Sequence, residues 1–181
     1  MCIRDRVEAG RVRAIGCSNY NASQLREALD ASTFGGYRRF EVVQPPYSLV
    51  SRYIEETILP LCREEEISVA TYSPLGAGLL AGTASPDRSR APRGSRFYVA
   101  PDYMDLYYTE ANFRMVELLR AKAVELGVPM TRLAMAWVLS HADVTAMLVG
   151  ADDIRQLDEA VAAYEMRLDP AVRDEMSAWQ T

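Results

Sequence analysis

The sequence predicts an α/β fold built on a parallel sheet with helical crossovers, and three observations predict it. Four short β-prone runs are each followed by a longer segment whose apolar residues recur at helical spacing. No two runs are joined by the tight turn of a hairpin, so successive strands are expected side by side and pointing the same way. Each run also stops at a polar or turn-forming cluster: Ser18-Asn19, Gln44-Pro45, Tyr72-Ser73 and Gly150-Ala151.

Composition sets the outer bounds. The 181 residues are 49% hydrophobic and 25% charged, enough for one domain with a substantial core and without the signature of disorder. A net charge of -5 argues against a general binder of nucleic acid or anionic membrane. Cys2, Cys17 and Cys62 are odd in number and widely spaced, which suggests neither a disulfide framework nor a metal site and fits a reducing cytoplasm. No apolar run reaches the ~18 residues of a membrane span, and no signal-peptide pattern opens the chain. The expectation is a cytoplasmic protein.

In chain order, residues 1–6 (MCIRDR) show neither helical nor strand periodicity and read as an unrelated leader. Residues 7–181 read as the domain proper. Val7 to Gly10 has the character of a helix tail whose beginning is missing, with Gly10 as its C-cap. Arg11 to Cys17 is the first strand. A helix follows, capped by Asn21 with Gln24 in the capping-box position and with Leu25, Ala28 and Leu29 on one face. Phe34 to Tyr37 is a glycine-containing connector, and Phe40 to Val43 is the second strand. The next helix carries Ile54, Ile58, Leu61 and Cys62, with Pro60 expected to kink or restart it.

The third strand belongs to the stretch from Ile67 to Gly82, ISVATYSPLGAGLLAG, around which the chain is organised. A β-prone run ending at Tyr72 meets Ser73-Pro74-Leu75-Gly76, where proline and glycine end the strand at a chemically equipped loop. Tyr72 offers a flat aromatic face and Ser73 a hydroxyl. Gly76 and Gly78 let backbone N–H groups approach a ligand closely, as a nucleotide cofactor requires. The alternative is a strand, a turn and a buried aromatic.

Thr83 to Tyr108 is rich in Pro, Gly, Ser and Arg and too long for an ordinary connection, so it is expected to be a functional or disordered loop. Thr109 caps a helix that ends at Gly127, and Thr131 begins another in which Trp137 is a core residue. Thr145 to Val149 is the fourth strand. It leads into a helix with the capping pair Asp153 and Gln156, and Asp169-Pro170 start a short terminal helix.

Six motifs in this order, VRAIGCSNY, VVQPPYSLVSR, VATYSPLGAGLLAG, GSRF, LAMAWVLSHADVTAMLVGA and QLDE, resemble the C-terminal half of an aldo-keto reductase. The resemblance covers about Val7 to Trp179. It implies the last four strand–helix units and terminal helix of a (β/α)8 barrel that binds NADPH, with NADH possible, and reduces a small aldehyde or ketone to an alcohol. It further implies that Ser18, Asn19 and Gln44 hydrogen-bond the nicotinamide carboxamide and that Tyr72 stacks on the ring. Ser73, Pro74, Leu75, Gly76 and Gly78 would wrap the pyrophosphate, Arg96 would pair with phosphate, and Gly150, Asp152, Gln156 and Glu159 would frame the adenosine end. Taken singly, Ser18-Asn19 also reads as a turn and helix start, Gln44 as a strand-end polar residue, Arg96 as a surface charge and Glu159 as an exposed helix carboxylate.

Two departures from the family pattern stand out. Asp152 and Asp153 replace the Lys, Arg or Ser often found there, and Ala160 replaces an Asn. A carboxylate would repel a 2'-phosphate or accept a hydrogen bond from a free 2'-hydroxyl, with Arg96 and Arg155 as nearby compensators. The family's catalytic Asp, Tyr, Lys and His have no counterpart. His141, the only histidine, is placed at the helix-to-strand end, and Lys122, the only lysine, is expected inside a helix without an acidic or tyrosyl partner. No catalytic residue is therefore assigned, and the chain is expected to be inactive alone and to self-associate. A non-enzymatic dinucleotide-binding module, like the channel-associated relatives of this fold, is the alternative from another class. A decayed fragment is a third.

Overall fold

The computed structural model describes residues 3–179, and sequence readings that involve Met1, Cys2, Gln180 or Thr181 lie outside the described residues. Four parallel strands, β1 (Gly16–Ser18), β2 (Val42–Gln44), β3 (Ser68–Thr71) and β4 (Ala146–Met147), form one sheet in chain order. Cys17 pairs with Val43, and Val43 with Val69. The sheet's two faces differ. Val43, Val69 and Thr71 are buried, whereas Gly16, Ser18 and Ser68 on the alternate positions are exposed. One face is thus covered by helices and the other is partly open to solvent.

Nine α-helices accompany this sheet among the described residues: α1 (Ile3–Glu8), α2 (Ala22–Gly35), α3 (Ile58–Glu64), α4 (Arg96–Val99), α5 (Tyr103–Tyr107), α6 (Glu110–Leu126), α7 (Met130–Leu139), α8 (Ile154–Glu165) and α9 (Pro170–Ser177). The caps follow from sequence as expected. Asn21 Oδ1 accepts from the Gln24 N–H at 2.8 Å while Gln24 Oε1 accepts from the Asn21 N–H at 3.0 Å, a complete capping box. Asp153 Oδ1 accepts from the Gln156 N–H at 2.9 Å, and Asp169 Oδ1 from the Ala171 N–H at 2.7 Å.

Several boundaries differ from expectation. The four described residues of the opening hexapeptide are helical, and Gly10, at φ +67°, turns the chain out of α1. The first strand begins at Gly16 rather than Arg11, because its single neighbour β2 meets it only from there; a lone bond from the Glu41 N–H to the Ile15 carbonyl precedes the ladder. The second and fourth strands are likewise shorter. The Phe34–Tyr37 connector starts later, since Gly36 in the left-handed conformation lets α2 continue through Gly35. The single helix expected around Pro60 is a 3-10 turn, Tyr53–Glu55, and then α3. Pro60 is the third residue of α3, where its missing N–H has no intrahelical acceptor to satisfy. Helix α7 begins at Met130, one residue before Thr131.

Residues 83–108 are not a bare loop. They hold a 3-10 turn, Arg88–Arg90, followed by α4 and α5. The segment is pinned by the buried side chains of Phe97, Met104 and Tyr107, and the Phe97 and Tyr108 rings meet edge-on at 4.9 Å.

Trp137 lies at the centre of the core, fully buried. The Tyr47 ring packs on it at 5.2 Å, the Arg52 guanidinium lies 5.2 Å from its centre, and its indole N–H donates to Ser177 Oγ at 3.1 Å. Arg52 also donates to the Ser177 carbonyl at 2.6 Å, so α9 is clamped onto α7 from two sides. Lys122 was expected without acidic partners. Its ammonium instead donates to Glu125 at 3.0 Å and Glu175 at 2.9 Å, because the helical i,i+3 step brings Glu125 beneath it and α9 docks Glu175 beside it. That pairing raises the Lys122 pKa and ties α6 to α9.

Candidate functional site

The C-terminal ends of the four strands share one rim. Ser18 Oγ donates to the Gln44 carbonyl at 2.8 Å, and the Asn19 N–H donates to the same oxygen at 3.3 Å. The Tyr72 N–H donates to the Pro45 carbonyl at 3.0 Å, and the Tyr72 hydroxyl donates to Asn19 Oδ1 at 2.8 Å. These bonds stitch the ends of β1, β2 and β3 into one polar edge.

Beyond β3 the chain turns sharply. Ser73 at φ +54°, Ala77 at φ +57° and Gly78 at φ +97° all occupy the left-handed region, within or just before the 3-10 stretch Gly76–Ala81. For non-glycine residues that costs about 1–3 kcal/mol each. Such turns can present backbone N–H groups to an anion; here those of Gly76 and Gly78 donate within the turn to the Ser73 and Leu75 carbonyls at 3.0 Å, and Pro74 has none. Gly78 lines the cleft beneath, and a Cβ there would meet nothing within 4 Å, so the backbone is bare to an incoming group. Gly76 has a different reason. A Cβ on it would come 2.6 Å from Val50 Cγ2, so glycine is required to seat the turn on the core.

This turn forms the floor of a cleft of about 760 Å³, within the roughly 300–1,000 Å³ of small-molecule and cofactor sites. One wall comes from the ordered 83–108 segment, with Ser95, Arg96 and Tyr103. The Arg96 guanidinium lies 5.4 Å from the centre of the Tyr103 ring and makes no ion pair among the described residues. The opposite wall is the end of β4 and the start of α8, with Gly150, Asp152, Gln156 and Glu159.

Of the residues singled out in the sequence, Tyr72, Ser73, Pro74, Leu75, Gly78, Arg96, Gly150, Asp152, Gln156 and Glu159 line this one cleft. Ser18, Asn19 and Gln44 stand beside it on the strand-end edge, joined through the Tyr72–Asn19 bond, and Gly76 lies buried under the turn. Thr131 and Met135 of α7 also reach the cleft and were not anticipated. Their i,i+4 spacing was the available signal, but it reveals a shared helix face and not what that face meets.

The α8 wall is rich in charge. Arg132 donates from Nη2 to Glu159 Oε1 at 2.8 Å and from Nε to Oε2 at 3.0 Å, a two-pronged pair across α7 and α8 that raises the Arg132 pKa. Arg155 donates to Asp153 Oδ2 at 3.0 Å. The backbone N–H of Gln156 and then the Arg155 side chain hold the Asp153 carboxyl below its ordinary pKa. Gln156 Oε1 accepts from the Asp152 N–H at 3.0 Å. Ala160 is buried against Met135 of α7.

The residues named as possible proton donors lie elsewhere. His141 is in the α7–β4 connection, at the opposite end of the strands, where its Nδ1 accepts from the Asp143 N–H at 3.2 Å. Lys122 is committed to Glu125 and Glu175. Among the described residues no group of three or more His, Cys, Asp or Glu side chains could hold a metal ion, and no helix is long and apolar enough to cross a membrane.

Comparison with known proteins gives a consistent set of matches. The profile of the Aldo/keto reductase family matches residues 1–180. The chain is 33% identical over 165 residues to the NADH-specific methylglyoxal reductase of Escherichia coli, covering 90% of this chain and 47% of that protein. It is 25% identical over 171 residues to an aldo-keto reductase of Pseudocercospora fijiensis, covering 90% and 58%, and 27% identical over 171 residues to the versiconal hemiacetal acetate reductase of Aspergillus parasiticus, covering 93% and 48%. The chain spans about half the length of the curated relatives it matches.

Proposed function

The chain belongs to the aldo/keto reductase family, and from that premise we propose that it is the dinucleotide-holding C-terminal half of a (β/α)8 barrel that reduces aldehyde or ketone carbonyls with NAD(P)H. The observation that carries this reading is the single cleft in which a left-handed, backbone-rich turn, an aromatic residue at a strand end and the start of α8 come together. In a parallel barrel the chemistry sits at the C-terminal ends of the strands, and those are the ends that meet here.

The residues fit a nicotinamide dinucleotide. The Tyr72 ring, held by its hydroxyl on Asn19, is the stacking surface for the nicotinamide. Ser18, Asn19 and Gln44 are the polar groups for its carboxamide. The backbone N–H groups of Ser73, Leu75 and Ala77 and the unpaired Arg96 receive the diphosphate, since Pro74 has no N–H and those of Gly76 and Gly78 donate to the Ser73 and Leu75 carbonyls, and Gly150, Gln156 and Glu159 frame the adenosine. When bound, the reduced cofactor supplies the hydride. The carbonyl oxygen also needs a proton: the Tyr72 hydroxyl is bonded to Asn19, Tyr103 in the cleft wall has no lysine or carboxylate bonded to its hydroxyl among the described residues, and His141 and Lys122 lie away from the cleft. This chain alone is therefore read as a cofactor platform without turnover.

The name of the Escherichia coli relative makes methylglyoxal, an α-oxoaldehyde, the first substrate to try with a full-length homologue. The wall formed by residues 83–108 would contribute to the substrate rim. Calorimetric titration of the chain with NADH and NADPH tests the proposal. Binding of at least one with a dissociation constant between about 1 μM and 1 mM is expected, and no heat from either up to several times the upper limit would overturn it.

A further inference from the structure

We propose that Arg90 and Arg93, beside the cleft wall that faces α8, steer an anionic dinucleotide into the cleft by their field alone, raising its rate of association without holding it once bound. The inference rests on the dinucleotide reading above and adds to it a route of entry.

The stretch from Asp87 to Arg96 is basic in an acidic protein. It carries Arg88, Arg90, Arg93 and Arg96 against the single carboxylate of Asp87, whereas the chain as a whole has a net charge of -5. Part of that charge is spent locally. Arg88 donates to Asp105 Oδ1 at 2.7 Å, and Asp87 accepts from the Ser89 hydroxyl and N–H at 2.7 and 3.0 Å, bonds that with a lesser pull from Arg90 hold its carboxyl below its ordinary pKa. Arg90 and Arg93 remain exposed and make no ion pair among the described residues.

The fold puts these two charges at the mouth. Pro92, Gly94, Ser95 and Arg96 line the cleft, and the Ser95 N–H donates to the Pro92 carbonyl at 3.0 Å, closing a turn whose corner residues are Arg93 and Gly94. Gly94 takes φ +82°, the left-handed conformation that the second corner of such a turn favours. Arg93 therefore stands between lining residues without lining the cleft itself, and Arg90 ends the 3-10 turn two residues before Pro92. Arg96 is the contact and its neighbours are the approach. Across the mouth, Asp152, Asp153 and Glu159 outnumber Arg155, so the field runs from a basic wall to an acidic one and draws a diphosphate to the Arg96 side. Elsewhere an acidic surface repels it. An exposed charge at a rim acts on the rate of association and its salt dependence, whereas a charge in contact with the ligand acts on dissociation.

Stopped-flow mixing of the whole chain with NADH, followed by the fluorescence of the nucleotide, separates the two rates. At ~0.01 M salt, where the field reaches about 30 Å, Arg90→Ser with Arg93→Ser should lower the association rate constant about three- to ten-fold and change the dissociation rate constant less than two-fold. At ~1 M salt the reach falls to about 3 Å, and the two proteins should associate equally fast. NADPH brings about 1.5–2 further negative charges, so its association should suffer more than that of NADH at low salt. Arg38→Ser with Arg167→Ser removes the same charge from exposed positions at the other end of the strands, and this control should associate as the unmodified chain does. An unchanged association rate without Arg90 and Arg93, a loss that appears in dissociation instead, a loss no greater for NADPH, or an equal loss in the control would overturn the steering while leaving the dinucleotide reading in place. Binding of neither dinucleotide by the unmodified chain would remove both.

Discussion

Tyr72 and Asn19 are joined by a 2.8 Å hydrogen bond that spans the rim from the end of β3 to the end of β1, with β2 between them. The bond fixes the tilt of the Tyr72 ring, and it holds Asn19 in a left-handed conformation at φ +60° that asparagine tolerates better than most residues. If the ring is the stacking surface, Tyr72→Ala should weaken dinucleotide binding by about 1–2 kcal/mol, roughly five- to thirty-fold. Tyr72→Phe keeps the ring and loses only its tether, so it should cost less than half as much. Equal affinities for all three proteins would place the ligand elsewhere.

Carbonyl reduction by the chain itself is expected to be indistinguishable from a blank. Loss of general acid catalysis costs about 10²–10⁴-fold, and here Tyr72 is already a hydrogen-bond donor to Asn19, Tyr103 has no lysine or carboxylate bonded to its hydroxyl among the described residues, and the lysine and histidine are committed at a distance. The assay is oxidation of NADH or NADPH followed by absorbance with methylglyoxal and several simple aldehydes. Turnover clearly above a no-protein control would mean that one of the described residues does donate the proton.

The fold was largely legible because its signals are local. Capping boxes, glycine stops and the absence of hairpin turns are written within a few residues, and Asn21, Gly127, Asp153 and Asp169 all act at the positions read for them. What was not legible depends on contacts distant in sequence. Lys122 looked isolated because Glu175 is 53 residues away and reaches it only through the docking of α9. The strand from Arg11 looked longer because β propensity cannot tell how far a neighbour extends alongside. Residues 83–108 looked structureless because their order comes from Phe97, Met104 and Tyr107 packing into the core, with no periodicity of their own. At the cleft, residue types pointed to Tyr72 and the glycine turn, but the engagement of Arg155 and Arg132 by carboxylates is a matter of side-chain geometry alone.

Stability should fall on the acid side in two windows. Burial, followed by the nearby Arg173 charge, holds the His141 imidazole below its ordinary value against the opposing pull of Asp143 and Glu55. The unfolded chain therefore binds more protons near pH 6.5, and stability is full above that value and is lost as pH falls through the folded-state pKa. Burial alone would raise the Glu55 carboxyl, but hydrogen bonds from Arg52 and Tyr47 outweigh it and leave it below the ordinary range. Its contribution is present above the usual carboxylate pKa and disappears at lower pH. Urea midpoints across pH should slope upward with pH in both windows, and His141→Gln should flatten the upper one. A slope there that survives the substitution would assign it to another group.

Self-association is the last expectation, and it follows from surfaces that the four-stranded sheet leaves open. Among the described residues neither β1 nor β4 has a strand on its outer side, so each presents unpaired backbone groups. On α8, Ile154, Leu157, Val161 and Tyr164 are 76%, 51%, 50% and 78% exposed and recur at intervals of three and four residues, an apolar stripe facing solvent. The occupant proposed for these surfaces is a second copy of this chain. A two-fold axis along the strands would set β4 of each copy beside β1 of the other with all eight strands parallel, the number that closes a barrel whose interior side chains can fill. Charge favours the pairing: exposed Arg11 and Arg13 precede β1 and so lie at the end of the sheet where α8 finishes with exposed Glu165. Light scattering after size exclusion at micromolar concentration should therefore report a mass above 20.2 kDa, and Val161→Arg with Leu157→Arg should lower it. A monodisperse species of that monomer mass with sharp cooperative unfolding would mean that the sheet protects its own edges and that the α8 stripe needs no partner.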